Sequence, residues 1–242
     1  RIDVDELIEF AVHPARWFIK MRLGLTIRQR SRQLSDQSFW QLDGLRRFQL
    51  RGAVLELMLE ERLDHGLRFL RHSGLLPAGQ LGEQALQSVT EDCAPLLSSI
   101  RSATGGSIDD VPCRVSVEIA GIKVDGWVRG HRNHQLIQWR AANVKAADAL
   151  GLWVRHRLLA LSGLDMPAAH FGLVNPKGVD TVRLAQATVF DAPLDALVEV
   201  YKKAWRQPVV THHDEATQKA DRYSGEDRND YLTLLAEHWP AN

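Results

Sequence analysis

The sequence predicts an α/β fold, and three observations predict it. Between Arg114 and Arg140 two runs of alternating β-branched and polar residues flank Ala120-Gly121, and a third apolar run, Leu136-Ile137-Gln138-Trp139-Arg140, follows a polar turn. Ahead of this stretch, apolar residues recur at helical spacing in several segments separated by Gly and Pro. Directly after it, Val144 to Leu161 carries the helical period again, so the strands run straight into a long helix.

Taken in order, Asp3 or Asp5 caps a helix through Val12, and Pro14, tolerated in a first turn, starts a second that Gly24 stops after Arg22. Arg28 to Gln41 is polar and reads as an exposed connection carrying Arg28, Arg30 and Arg32. Asp43 caps a helix with Leu45, Phe48, Leu55, Met58 and Leu59 on one face, and a further helix closes near Ser73-Gly74. Leu75 to Glu83 reads as a loop shaped by its Pro and Gly residues. Leu86, Val89, Cys93 and Leu97 then mark a helix that Pro95 must end or kink, and Ser102 to Asp110 is a polar loop. The strands are expected near 113–119, 122–129 and 135–140, as an antiparallel meander. Beyond the long helix, His170–Val174 and Thr181–Ala185 form a hairpin around Asn175–Gly178, and Asp191 or Pro193 opens a helix through Trp205. This divides the chain into a mainly helical lead-in over residues 1–105, an α/β core over 106–206 and a C-terminal extension over 207–242.

The chain is 242 residues long, 45% hydrophobic and 25% charged, with a formal net charge of zero. That length buries a substantial core, and a neutral chain does not hold DNA by bulk charge, so any nucleic-acid contact is local. No apolar run approaches the length of a membrane span, and no membrane partner is expected. Cys93 and Cys113 fall on an apolar helix face and a strand start, which suits a reducing compartment and a cytoplasmic location. The chain begins at Arg1 without Met or signal peptide and reads as a piece of something longer.

A Gly-aromatic-aliphatic strand (Gly126-Trp127-Val128), a charged turn, then a strand ending in a triplet before a helix is similar to the layout of PD-(D/E)XK nuclease cores, a restriction-endonuclease-like fold with a central mixed sheet and flanking helices. Such a core needs carboxylates on adjacent strands, because Mg²⁺ takes hard oxygen ligands in a near-octahedral shell, and a Lys beside the phosphate. Here the acid-x-Lys triplet is Gln138-Trp139-Arg140, and after Gly126-Trp127 the chain offers Val128, Arg129 and Gly130 in place of an Asp. Arg129, Gln138 and Arg140 therefore mark degenerate metal-site positions; no catalytic residue, metal or cofactor is expected.

Further motifs run in a fixed order: Leu7-Ile8-Glu9-Phe10, His13-Pro14-Ala15-Arg16-Trp17-Phe18, Arg22-Leu23-Gly24-Leu25, Leu42-Asp43, Ser73-Gly74-Leu75-Leu76-Pro77-Ala78-Gly79, Gly82-Glu83, Gly126-Trp127, Trp139-Arg140, and Leu152-Trp153 with His156. In that order and spacing the chain resembles, up to about Leu235, the carboxy-terminal domain family of RecC, the gamma subunit of exodeoxyribonuclease V, the RecBCD helicase–nuclease. The resemblance implies a domain folded like the nuclease domain of the sister subunit RecB but lacking its active site, seated where incoming duplex is split. It implies RecB-like and RecD-like subunits and forked or single-stranded DNA as partners. In the related nuclease subunits a histidine at a position like His13 joins the metal site. Here His13 is kept while the carboxylates are absent.

Read from the residues alone, His13 is a helix-junction histidine hydrogen-bonded to backbone, and His131 with His134 forms a solvated turn, because no further ligand completes a zinc set. His212-His213-Asp214-Glu215 is read the same way. Trp127, Trp139 and Trp153 read as packed tryptophans rather than stacking platforms for bases. Arg129, Arg132 and Arg140 around the vacated site, and Arg16, Lys20 and Arg22, read as lining up on one helix face, are DNA-contact candidates, with solvated charge the competing reading. Three functions compete: an architectural DNA-handling domain, a metal-dependent nuclease using Glu118 and Asp125, and a pure protein-interaction scaffold.

Overall fold

The computed structural model describes residues 1–25, 42–174, 178–184 and 194–206. At its N-terminus strand β1 (Ile2–Asp3) runs directly into helix α1 (Val4–Val12), and the Asp3 carboxylate accepts the backbone N–H of Asp5 at 2.8 Å, satisfying a donor that the first turn leaves open. Pro14 supplies the fixed φ and missing N–H that suit a first turn and starts α2 (Pro14–Arg22). Asp43 caps α3 (Gly44–Leu59) through Arg46 N–H at 2.7 Å; α4 (Leu63–His72) and α5 (Gln80–Thr104) follow. The remaining elements are β2 (Cys113–Ile119), β3 (Ile122–Val128), β4 (His131–Arg132), β5 (Gln135–Arg140), α6 (Ala146–Leu161), β6 (Ala168–Val174), β7 (Gly178–Leu184) and α7 (Leu194–Ala204).

The architecture is mixed α/β, and both of its sheets are mixed. In one sheet β2 pairs antiparallel with β3, and β1 lies parallel on the other side of β3, with Ile2 opposite Val124 and Asp3 opposite Asp125. In the other, β4 is antiparallel to β5, β5 parallel to β6, and β6 antiparallel to β7. The expected three-strand meander is thereby corrected. Its first two strands pair as expected, but the third leaves them and pairs in parallel with β6, across α6. The chain changes sheets at Arg129-Gly130, where Gly130 takes a φ of 103°, a value side-chain-bearing residues rarely adopt. The Gly130 carbonyl still accepts Ile137 N–H at 2.7 Å.

Side-chain alternation along β5 explains the layering. Leu136 belongs to a core with α1, α2, α6, α7 and the first sheet, whereas Ile137 belongs to a core with α3, α4 and α5. A strand covered on both faces is apolar at consecutive positions, as Leu136-Ile137 is.

Three helical details depart from expectation. The segment read as a loop to Glu83 is already helical from Gln80, and α5 passes through Pro95 to Thr104, ending at Gly105 with φ 67°. One buried face, Leu86, Val89, Cys93, Leu96 and Ile100, continues across the proline, so packing on both sides holds the helix where the missing N–H weakens it. On α3 the core face is Leu50, Val54, Leu55 and Leu59, while Leu45 and Phe48 are exposed. The segment Arg28–Gln41, the hairpin loop 175–177 and the extension 207–242 lie outside the described residues.

Candidate functional site

Where α1, α3, α6, β5 and β6 converge, the fold leaves a cleft of ≈ 670 Å³. Its polar lining is Asp5, Glu9 and His13 from α1 and its end, Gln138 and Arg140 from β5, Asp148 and Arg155 from α6, and His170 from β6. Two-residue periodicity puts Gln138 and Arg140 here: they continue the face of β5 that buries Leu136. The parallel register sets His170 directly beside Gln138.

The Gln138 amide donates through Nε2 to the Arg129 carbonyl at 2.9 Å and lies against Gly130, where an added Cβ would stand 2.2 Å from that nitrogen. A carboxylate-bearing residue at position 130 has no room without displacing Gln138, and the backbone there disfavours any side chain. Arg140 donates through Nη1 to Asp148 Oδ2 at 2.7 Å, and the same oxygen accepts Lys145 N–H at 2.9 Å at the start of α6. Asp148 thus serves as helix-start anion and as partner of Arg140. Arg155 donates to the Gly151 carbonyl at 2.9 Å; burial pulls its pKa below the ordinary value, with the charges of Asp5 and Asp148 opposing the shift. Burial also pushes the His170 imidazole down to about 4, with Asp148 opposing and Arg140 and Arg155 adding to the effect, so the ring is neutral at pH 7. His170 Nε2 has no hydrogen-bond partner among the described residues.

The donor set does not fit a Mg²⁺ centre. Glu9 faces Lys20 at 2.6 Å, Asp148 is occupied by Arg140, and Gln138 turns its NH₂ to a carbonyl. Among the described residues no three His, Cys, Asp or Glu side chains come together closely enough to hold a metal. Hard-cation coordination requires converging oxygens, and the cleft instead pairs Glu9 and Asp148 with cations. Glu118 and Asp125, the carboxylates of the metal-dependent reading, do not join this cleft. Both sit on β2 and β3 outside the cleft lining, and Asp125 is buried beneath Arg1 and Arg114.

The basic residues separate. Arg140 lines the cleft; Arg132 bonds the Ile108 and Ile137 carbonyls at 2.9 and 3.3 Å and lies 4.6 Å from the Trp139 ring centroid; Arg129 is exposed. On α2, Arg16 and Lys20 are separated by about 40° around the axis and Arg22 stands about 120° from Arg16, so the three do not share one face. His13 ends α1 with its N–H on the Glu9 carbonyl at 2.9 Å, at the rim of the cleft. His131 and His134 approach to 6.4 Å between ring centroids. Trp139 packs half-buried with Nε1 on Glu56 at 3.2 Å, and Trp153 packs against the core, both as expected. Trp127 does not: it is 52% exposed. The residues 212–215 lie outside the described part. Sequence reasoning named Asp5 only as an alternative helix cap and gave Asp148, Arg155 and His170 no place in a site; the only signal was the position of Asp148 at the start of a helix that follows a strand.

These features define a mixed α/β domain built around a polar, charge-compensated cleft at the end of a parallel strand pair. A family model described as RecC C-terminal domain matches residues 1–222, and the chain belongs to that family. It is 27% identical over 166 residues to the RecBCD enzyme subunit RecC of Escherichia coli (strain K12), covering 67% of this chain and 14% of that protein. It is 19% identical over 165 residues to the same-named subunit of Buchnera aphidicola (67% and 15%) and 21% identical over 159 residues to that of Haemophilus influenzae (63% and 14%). The matched part therefore spans about a seventh of those proteins' length. Among the described residues no helix is long and apolar enough to cross a membrane.

Proposed function

We propose that this chain is a single nuclease-like domain of a larger RecC-type subunit, with a degenerate PD-(D/E)XK core, and that it handles DNA without cutting it. Its role is architectural: it supports duplex splitting, strand guidance and subunit assembly in a RecBCD helicase–nuclease acting in double-strand break repair and homologous recombination in the cytoplasm. RecB-like and RecD-like subunits and forked or single-stranded DNA are its partners. One observation carries the non-catalytic reading. The cleft that corresponds to a nuclease centre presents Gln138 and Arg140, the latter neutralised by Asp148 at 2.7 Å, where metal chemistry needs free carboxylates.

DNA contact falls to the exposed cations Arg16, Arg22 and Arg129, with Lys20, Arg132 and Arg140 available where phosphate displaces their internal partners. A neutral domain releases few counterions, so its share of the salt dependence is small. The test is anisotropy of a forked duplex bound to the assembled complex across a salt series. Replacing Arg129, Arg132 and Arg140 by Ala is expected to make the log–log salt slope shallower by about 2 to 3. If neither this change nor neutralising Arg16, Lys20 and Arg22 alters slope or affinity, the domain is an interaction scaffold.

A further inference from the structure

The outer face of the β1-β3-β2 sheet carries an aromatic residue that the core does not use. Trp127 is 52% exposed, and its cross-strand neighbour Arg114 places its guanidinium 5.6 Å from the ring centroid. Below them, the Asp125 carboxylate accepts from Arg114 at 3.1 Å and from Arg1. The Asp125 side chain is only 6% exposed, against 61% for Arg114 and 71% for Arg1. The negative group therefore lies underneath and the guanidiniums it orients lie on top. Arg129, two residues beyond Trp127, is exposed as well. An approaching polyanion meets cations around one open aromatic ring.

Building on the DNA-handling reading above, we propose that this face is a single-strand platform: one unpaired base stacks on Trp127 while Arg114 and Arg129 contact the flanking phosphates. A duplex hides its base faces, so the ring selects a single strand, and π-stacking with backbone charge contacts tolerates any sequence. A protein partner fits less well. Around Trp127 the outward residues of β2 and β3 are Arg114, Ser116, Glu118, Lys123 and Asp125, with none of the apolar surroundings in which an interfacial Trp is buried and water excluded.

The experiment uses the full-length subunit with three substitutions, Trp127→Ala, Trp127→Tyr and Arg129→Ala, and two probes, a fluorescent oligo(dT) and an abasic strand of equal length. Trp127→Ala is expected to weaken oligo(dT) binding roughly 5- to 150-fold, Trp127→Tyr to retain most of the affinity, and the abasic strand to bind wild type and Trp127→Ala alike. Arg129→Ala is expected to reduce the salt slope by about 0.7. Oligo(dT) bound equally by wild type and Trp127→Ala overturns the platform but leaves the DNA-handling reading standing. Wild type that binds neither probe overturns the platform, and the DNA-handling reading falls with it only if the assembled complex's hold on forked DNA is also insensitive to the basic substitutions above. Trp127→Ala that binds DNA normally yet fails to assemble with the partner subunits overturns the platform in favour of a protein interface.

Discussion

Replacing Asp92 tests the electrostatics of the helical half. Asp92 lies in the α3–α5 seam, and its Oδ2 accepts from Arg47 at 2.8 Å and from Arg51 at 2.7 Å. The Arg51 side chain is 9% exposed while that of Arg47 is 41% exposed, so after Asp92→Ala only Arg47 swings freely into water. Stripping a buried guanidinium of its carboxylate costs about 3 to 5 kcal/mol; the lower end applies, because Arg51 has further interactions. Asp92→Asn keeps an acceptor and loses the charge, costing about 1.5 kcal/mol after discounting the half-exposed partner. At about 2 to 4 °C per kcal/mol for a chain of this size, the expected losses in Tm are about 10 °C for Ala and about 5 °C for Asn. The pH dependence has a definite sign. Burial alone would raise the Asp92 pKa, but hydrogen bonds and charge from Arg51 and Arg47 overcome it, and the value falls below the ordinary 3.8. A depressed carboxylate stabilises above its unfolded pKa and loses that contribution as pH falls through the folded one. Thermal melts by circular dichroism should therefore show a constant gap between wild type and Asp92→Asn at neutral pH, closing only below about pH 4. A melting point of Asp92→Ala within about 1 °C of wild type, or a gap unchanged down to pH 3, refutes the assignment.

Gly172→Ala is expected to cost about 3 kcal/mol, read as a urea midpoint shift, because its Cβ would meet Val144 Cγ2 at 2.6 Å and the backbone at Ala142 O and Val144 N at 2.7 and 2.8 Å. Gln138→Asp combined with Arg140→Lys should neither bind Mn²⁺ by calorimetry nor cleave DNA, since Val128, Arg129 and Gly130 at the end of β3 still offer no carboxylate. His170 adds a second acid-sensitive window: its folded pKa of about 4 lies below 6.5, so the unfolded chain binds the extra proton first. Wild type should lose up to about 3 kcal/mol as pH falls from 6.5 to 4, and His170→Asn should not. Equal slopes for the two proteins would count against a buried neutral imidazole.

How far the sequence carried depended on whether a contact was local. Strand limits were legible because Cys113–Ile119 and Ile122–Val128 alternate around a turn, and the caps at Asp3 and Asp43 rest on neighbouring N–H groups. The division into two sheets was not legible, since the partner of β5 lies beyond a sixteen-residue helix and the change of sheet turns on the backbone of one glycine. Pro95 does not end the helix, because propensity is local whereas the burial that opposes it spans the whole of α5. In the cleft, Gln138 and Arg140 were visible as a triplet in one strand. Asp148, Arg155 and His170 reach it only through the folding of α6 and β6, and no spacing in the chain announces them. Trp127 was misjudged because a strand tryptophan is ordinarily packed, and exposure of the outer sheet face is a property of the assembly of layers.

The pairing of β1 with β3 bears on the order in which the chain closes. Ile2 lies opposite Val124, and Glu6 accepts from the Tyr201 hydroxyl at 2.6 Å across 195 positions. Joining positions that far apart carries a chain-entropy cost on the order of 5 kcal/mol beyond a constant, and before those partners exist α1 has only its local packing on α2, such as Phe10 against Trp17 at 5.1 Å, to set against it. On a ribosome, α3 and α5 have each other as soon as Thr104 has emerged, but β1 has no place to pair until β3 is made, and α1 lacks its far contact until α7 follows. Within this domain the stretch made first is thus among the last to be fixed, and the apolar face of Leu7, Phe10 and Trp17 lacks its cover until β3 and α7 have been made.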